Sequence, residues 1–405
     1  MHIKAALFIK NEQNWGDSKM LSIPLMNNNI TADDIDALID FLKTSDRFTN
    51  GPVVKKFEEE WSKWLGVKHS VFVNSGASAN LITISACKLL FGAQDVIVPA
   101  LTWSSDISSV FHCGMSPVFV DIDLRTLAMD EEQVIKKLGS GKIVFLTHIL
   151  GLCGLSQRLL DEIVASGAIL IEDVCESHGA IYKGKKLGVF GKASNFSFYY
   201  AHHMSTIEGG MICTDDDEFY EACRILRSHG MLRESTSESL KMSYYSEYPD
   251  LNPDFIFTYP GFNMRSTEIN AVLGLSQLKR LDENNKKRRE NYAAFIAGLD
   301  PDKYYTEFNL EGSCNYAFTL LLRNPDKEMF DRIAQALTRE NVEFRKGMSG
   351  GGNMLRQPFV RKRIGDLFES YPNVDMVHFY GMYIGNYPGL ESEKIERLCK
   401  LLNDI

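Results

Sequence analysis

The sequence has no two cysteines spaced as CxC or CxxC, the usual starting point of zinc and iron–sulfur sites. Its eight cysteines, Cys87, Cys113, Cys153, Cys175, Cys213, Cys223, Cys314 and Cys399, are scattered. They read as small buried hydrophobes rather than as a disulfide framework or a metal site. No apolar run reaches the roughly 18 residues that a membrane span needs. The opening MHIKAALFIKN is too short in its apolar part for a signal peptide, so a cytoplasmic protein without a membrane partner is expected. Basic charge is not in excess: 44 Lys and Arg against 53 Asp and Glu leave a net charge of −9, and no basic stripe is available to neutralise nucleic-acid phosphates. Internal repeats and low-complexity tracts are absent too. What is present is the composition of an ordinary enzyme, 44% apolar and 24% charged. Its length of 405 residues exceeds what one hydrophobic core usually fills.

Between residues 68 and 230, short apolar runs alternate with helical patterns. Strands are expected at Ser70–Val73, Asp95–Pro99, Pro117–Ile122, Ile143–His148, Ala168–Asp173, Asn195–Tyr199 and Met211–Thr214. Helices are expected at Ala77–Leu90, Asp106–Cys113, Asp130–Lys137 and Gln157–Ser166. Runs nearly continuous in Val, Ile, Phe and Leu suit strands buried on both faces. Their alternation with helices predicts an α/β fold around a mostly parallel, doubly wound sheet. One long amphipathic helix is expected over Ser266–Leu299, followed by a smaller domain. That domain would hold a strand at Tyr316–Leu322, a helix at Glu328–Arg339, a strand near Val342–Lys346 and a helix at Glu391–Asn403. The division expected is 22–265 for a large domain and 266–405 for the bridging helix and small domain. Four glycines in Gly347–Gly352 read as a mobile loop, and Ser235–Asp254, rich in Ser, Tyr and Glu, as a loop that contributes to substrate selection or as a disordered insert.

Ligands of α/β sheets sit beyond the carboxyl ends of strands, so four stretches carry most weight. Asn74-Ser75-Gly76-Ala77-Ser78-Ala79-Asn80 joins a strand to a helix, which suits either a phosphate at the helix start or a plain serine cap. Glu172-Asp173-Val174-Cys175-Glu176-Ser177-His178-Gly179 puts a carboxylate at a buried strand end. Such a group needs a cation or donor: a protonated ring nitrogen or a structural partner. Ser197 through Gly210 contains the neighbours His202 and His203, a pair that is structural, superficial or, least simply, metal-bound. Gly261-Phe262-Asn263-Met264-Arg265-Ser266-Thr267-Glu268 precedes the long helix, where Ser266 reads as a cap.

In this order and spacing, the four stretches resemble the DegT/DnrJ/EryC1/StrS sugar aminotransferase family, over essentially the whole chain from Phe48-Thr49-Asn50-Gly51 onward. The resemblance implies fold-type I, aspartate aminotransferase-like architecture with a mostly parallel seven-stranded sheet and a smaller C-terminal α+β domain. It implies a homodimer with active sites shared at the subunit interface, and a pyridoxal 5'-phosphate (PLP) or pyridoxamine 5'-phosphate (PMP) cofactor. Gly76 and Ala77 would contact the cofactor phosphate with Ser197. Trp103 would stack on the ring, Asp173 would pair with its nitrogen, and Glu176, where many relatives have Gln, would lie near the ring hydroxyl. Asn263 would reach the phosphate in the neighbouring subunit.

One departure is informative. Aminotransferases of the family have lysine four residues after an aromatic such as Phe198 and six before a glutamate such as Glu208; this chain has His202. Imidazole forms no stable Schiff base with an aldehyde, so the cofactor would be held without a covalent bond. The same change marks the PMP-dependent sugar 3-dehydratase branch, which His202–Gly210, Glu172–Ser177 and Arg227-Ser228-His229-Gly230 also resemble. Iron–sulfur members of that branch need clustered cysteines. Those that work without a metal act on GDP-4-keto-6-deoxy-D-mannose, and differ here in having Ser where this chain has Ala201. The resemblance implies loss of the C3 hydroxyl from a nucleotide-linked sugar, with L-glutamate as amino donor. His202 would be the base, His229 a second candidate, and Arg233 or Arg345 would hold the glutamate carboxylate. Amino transfer using His202, or an inactive PLP-binding protein, stand as alternatives.

Overall fold

The computed structural model describes residues 20–27, 29–92, 95–139 and 142–405; the opening MHIKAALFIKN, and with it the expectation about a signal peptide, lies outside them. The chain builds β1 (His69–Val73), β2 (Asp95–Pro99), β3 (Ser116–Val120), β4 (Ile143–Thr147) and β5 (Ile169–Asp173), then a short hairpin of β6 (Ile181–Tyr182) and β7 (Lys185–Lys186), then β8 (Ala193–Ser197) and β9 (Gly210–Thr214). Seven of these form one sheet in the order β1-β9-β8-β5-β4-β2-β3. Only β9 runs against its neighbours, antiparallel to β1 and β8; the other pairs are parallel. The seven expected strands all lie in this sheet, within two residues at either end.

The sheet is covered on both faces because its strands are apolar on both. Alternate side chains point to opposite sides of a pleated strand. Val96 and Val98 of β2 join one apolar cluster with Val71, Val73, Ile143 and Phe145. Ile97 joins the other with Phe72, Val144 and Leu146. Helices Gly76–Phe91 and Gln157–Ser166 match the expectation, and Ser104–His112 starts two residues earlier than expected because Trp103 takes the cap position.

Three expectations need correcting. Ser266–Leu299 is not one helix but two, Glu268–Leu278 and Leu281–Gly298. The break carries no Gly or Pro; it falls where the Arg280 guanidinium turns inward to Asp34, Nη1 to Oδ1 at 2.8 Å, and to the Asn29 carbonyl at 3.1 Å. The cap of the first helix is Thr267, whose hydroxyl accepts from the Asn270 amide, rather than Ser266. Within Ser235–Asp254, a helix spans Glu238–Glu247, capped by Ser237.

The smaller sheet holds β10 (Ala317–Leu321), β11 (Phe344–Lys346) and β12 (Gly381–Gly385) in the order β10-β12-β11. The central strand β12 was not expected. The N-terminal segment is stitched to this part of the chain: Leu21 and Ile23 share its apolar cluster with Phe318 and Ile384, Ile23 bridges Val342, and the Glu343 amide donates to the Ile23 carbonyl at 2.8 Å. Among the described residues, no helix is long and apolar enough to cross a membrane. All eight cysteines are free thiols, seven of them buried.

Candidate active site

The carboxyl ends of β4, β5 and β8 and the turn after β2 converge on one polar cluster. Its floor is Asp173, the last residue of β5, almost wholly buried. Asp173 Oδ1 accepts from the Cys175 amide at 2.8 Å; Oδ2 accepts from Asn80 Nδ2 at 2.9 Å. The same Asn80 nitrogen donates to Asp106 Oδ1 at 2.6 Å. Asp106 Oδ2 accepts from the hydroxyls of Thr147, at 2.7 Å, and Thr102. Burial first, then the neighbouring Asp173, push the Asp106 carboxyl well above the usual carboxylate range. Sequence reasoning gave Asn80, Asp106, Thr102 and Thr147 no role. A hint was available: an acid inside an apolar helix pattern needs a partner wherever it is buried.

Beside this floor lies an anion seat. Gly76 begins the helix Gly76–Phe91, capped by Ser75, whose hydroxyl accepts the Ser78 amide at 3.1 Å. Amides of a helix's first turn have no partner within the helix and favour an anion. Gly76 is buried and Ala77 exposed. A β-carbon on Gly76 would come within 2.6 Å of Ser197 Cβ and 3.0 Å of its hydroxyl, so glycine there keeps the helix start close against the end of β8.

His202 stands on the loop between β8 and β9. The loop is pinned at its base by the Phe198 amide to the Gly209 carbonyl, 2.9 Å, and the Thr206 amide to the Phe198 carbonyl, 3.0 Å. His202 Nδ1 lies 3.1 Å from the Ser197 carbonyl. A carbonyl only accepts, so Nδ1 carries the hydrogen and Nε2 keeps its lone pair. Burial pulls the imidazole down to about 4, although the Ser197 carbonyl and the charge of Asp173 pull the other way; the ring is neutral near neutral pH, with its lone pair on Nε2. His203 points elsewhere. It is buried, bonded to the Cys314 carbonyl at 2.8 Å and stacked on His178. Among the described residues, no three His, Cys, Asp or Glu side chains are placed to hold a metal ion.

The opposite wall carries Trp103, 52% exposed. The glycine-rich stretch packs against it, since a β-carbon on Gly350 would meet the Thr102 carbonyl at 2.6 Å. This stretch is anchored rather than loose: Gly347 donates to the Gly381 carbonyl at 2.8 Å, and the Ser349 hydroxyl donates to Glu176 Oε1 at 3.0 Å. Glu176 also accepts the Leu150 amide at 2.9 Å, and burial raises its carboxyl to about 7. Tyr316 lies edge-on to His202 with ring centroids 5.4 Å apart, and next to Tyr383. Arg345 is opposite Tyr383 in the small sheet and pairs with Glu343 at 2.8 Å.

Three sequence candidates stand apart. His229 follows the helix Asp217–Arg227, with a left-handed backbone and its amide bonded to the Phe262 carbonyl; no described contact links it to His202. Arg233 is exposed and lies over the ring of Phe255 at 5.5 Å. Asn263 is exposed, with its side-chain Oδ1 accepting from Arg265 Nε at 3.2 Å.

An anion seat, a buried carboxylate and a neutral imidazole thus come together at neighbouring strand ends, with the exposed indole of Trp103 following Thr102, a donor set that fits a phosphorylated aromatic cation. The model of the DegT/DnrJ/EryC1/StrS aminotransferase family matches residues 28–403. The chain belongs to that family. Among family members, GDP-4-keto-6-deoxy-D-mannose 3-dehydratase of Escherichia coli O55:H7 (strain CB9615 / EPEC) is 30% identical over 394 residues, which cover 95% of this chain and 100% of the relative. The solved E. coli GDP-4-keto-6-deoxy-D-mannose-3-dehydratase with bound hydrated PLP superposes with a TM-score of 0.85 at 28% identity, covering 95% of this chain and 100% of that one. A structure of GDP-4-keto-6-deoxymannose-3-dehydratase with a trapped PLP-glutamate geminal diamine gives 0.84 at 27% identity, covering 94% and 100%.

Proposed function

We propose that this family member removes the C3 hydroxyl from a nucleotide-linked 4-keto-6-deoxy sugar, GDP-4-keto-6-deoxy-D-mannose foremost. It uses PLP and PMP held without a covalent bond, and L-glutamate as amino donor, towards a dideoxysugar of surface polysaccharide made in the cytoplasm. The observation that carries this is the imidazole of His202, with its lone pair on Nε2 and its ring fixed by the Ser197 carbonyl, where an aminotransferase would present an amine. When bound, the cofactor supplies the amine and the electron sink.

Every other part is done by side chains and backbone. The amides of Gly76 and Ala77 and the hydroxyl of Ser197 hold the phosphate. Asp173 holds the protonated ring nitrogen, Trp103 covers the ring face and Glu176 sits by the ring hydroxyl. His202 would take the α-proton of the amino acid at Nε2 and deliver it to the cofactor side in one half-reaction, and would take a proton from the cofactor side and deliver it to the departing hydroxyl in the other. A lysine would compete by bonding to the cofactor; imidazole leaves the elimination open. Arg345, at the rim through Tyr383, suits the glutamate carboxylate better than Arg233. A homodimer in which Asn263 serves the neighbouring subunit accounts for its exposure.

The test is incubation with L-glutamate and GDP-4-keto-6-deoxy-D-mannose. Free ammonia and 2-oxoglutarate with a 3-deoxy ketosugar are expected. An amino sugar without ammonia would assign transfer instead, and conversion of neither substrate would remove the proposal.

A further inference from the structure

Asp106 has no task in the chemistry above, yet it is fully buried and touches the floor of the site. One amide nitrogen, Asn80 Nδ2, donates to both Asp106 and Asp173, at 2.6 and 2.9 Å. The two acids also face each other side chain to side chain. The other groups on Asp106 are the hydroxyls of Thr102 and Thr147. The titratable groups near the pair are Cys175, whose thiol is raised by burial and then by Asp173, and Glu176 and His202, both of which feel the charge of Asp173.

Two carboxylates in one dry pocket do not both ionise readily; the pair retains a proton. Partner chemistry decides which acid keeps it. Asp173 is held by a backbone N–H and an amide, which only donate and so favour its charged form. Two of Asp106's partners are hydroxyls, which rotate and accept as easily as they donate. We propose that Asp106 is a positioning residue for the ring-nitrogen contact: it keeps the pair's proton, donates it towards Asp173 and leaves Asp173 a single ionised carboxylate with fixed orientation. The proposal rests on Asp173 as partner of the cofactor's ring nitrogen.

The test is PMP binding to the full-length apoprotein, followed by fluorescence, with infrared spectra of the same proteins. Asp106→Asn keeps a neutral donor of the same shape, so its PMP affinity should stay within about threefold of wild type. Asp106→Ala removes the donor and should weaken PMP by about tenfold or more. The infrared difference spectrum, wild type minus Asp106→Asn, should show the C=O stretch of one buried carboxylic acid over and above the band that Glu176 contributes to both. Equal losses in Asp106→Asn and Asp106→Ala would overturn the proposal, and so would absence of that difference band. Asp173→Asn separates the two layers. If it binds PMP like wild type, the cofactor assignment of Asp173 fails; if it loses PMP while Asp106→Ala does not, only the role of Asp106 fails.

Discussion

The floor of the site and the loop that carries His202 are built on opposite plans. Asp173, Asn80, Asp106, Thr102 and Thr147 are all buried, come from strand ends and from the helices that follow β1 and β2, and bond mainly to one another. The loop between β8 and β9 exposes Tyr199, Tyr200 and Ile207 by about half, and its bonds run outward to other parts of the chain: Ser205 exchanges two with the Gln277 side-chain amide, and Asn270 Nδ2 donates to the Thr206 carbonyl at 2.6 Å. Its tip is held from outside: Asn29 Nδ2 donates to the Tyr200 carbonyl at 2.5 Å, and the Tyr200 hydroxyl to the Met26 carbonyl at 2.8 Å. The contrast teaches that charge is fixed where the framework is rigid, while the proton-moving group sits on a segment open to the substrate side.

That division breaks most sharply at residue 202. His202→Asn should cut both half-reactions by about 10²–10⁴-fold and change PMP affinity little, as read by stopped-flow absorbance and by PMP titration. Loss of PMP affinity would mean that the loop belongs to the holding half. His202→Lys should give a borohydride-reducible adduct with PLP and suppress dehydration; no trapped adduct would show the loop misaligned.

Glu176 tests the boundary. Its folded value of about 7 lies above the ordinary 4.5, so its contribution to stability is whole below 4.5 and is lost as pH rises through 7. Urea unfolding of the wild type should therefore lose about 3 kcal/mol between pH 4.5 and 8 through this group. Glu176→Gln should flatten that slope; an unchanged slope would move the group out of the buried half. The smallest effect belongs to the exposed wall. Trp103→Ala should weaken PLP by about two- to tenfold without changing stability, checked by equilibrium dialysis and thermal melting.

The floor's scaffold was legible in the sequence because buried parallel strands are continuous apolar runs, and Asp173 stood out as a charge closing one of them. Its wiring was not, since Asn80 and Asp106 are far apart in sequence from Asp173 and meet it only when β2, β4 and β5 align. On the loop the reverse holds. His202 was legible through spacing to Phe198 and Glu208, whereas its tautomer depended on a backbone carbonyl. The break at Arg280 escaped notice because its cause, Asp34, lies in another helix. β12 escaped because Gly381-Met382-Tyr383-Ile384-Gly385 is short and bounded by glycines.

The stitch between Ile23 and Val342 sets an order of events during synthesis. Residues 21–26 leave the ribosome well before their partners around 337–343, which emerge more than 300 residues later. At about 5–20 residues per second, that is a wait of tens of seconds or less, with Leu21, Ile23 and Met26 lacking their final cover. A segment made more than 300 residues before its partners thus has to wait for them.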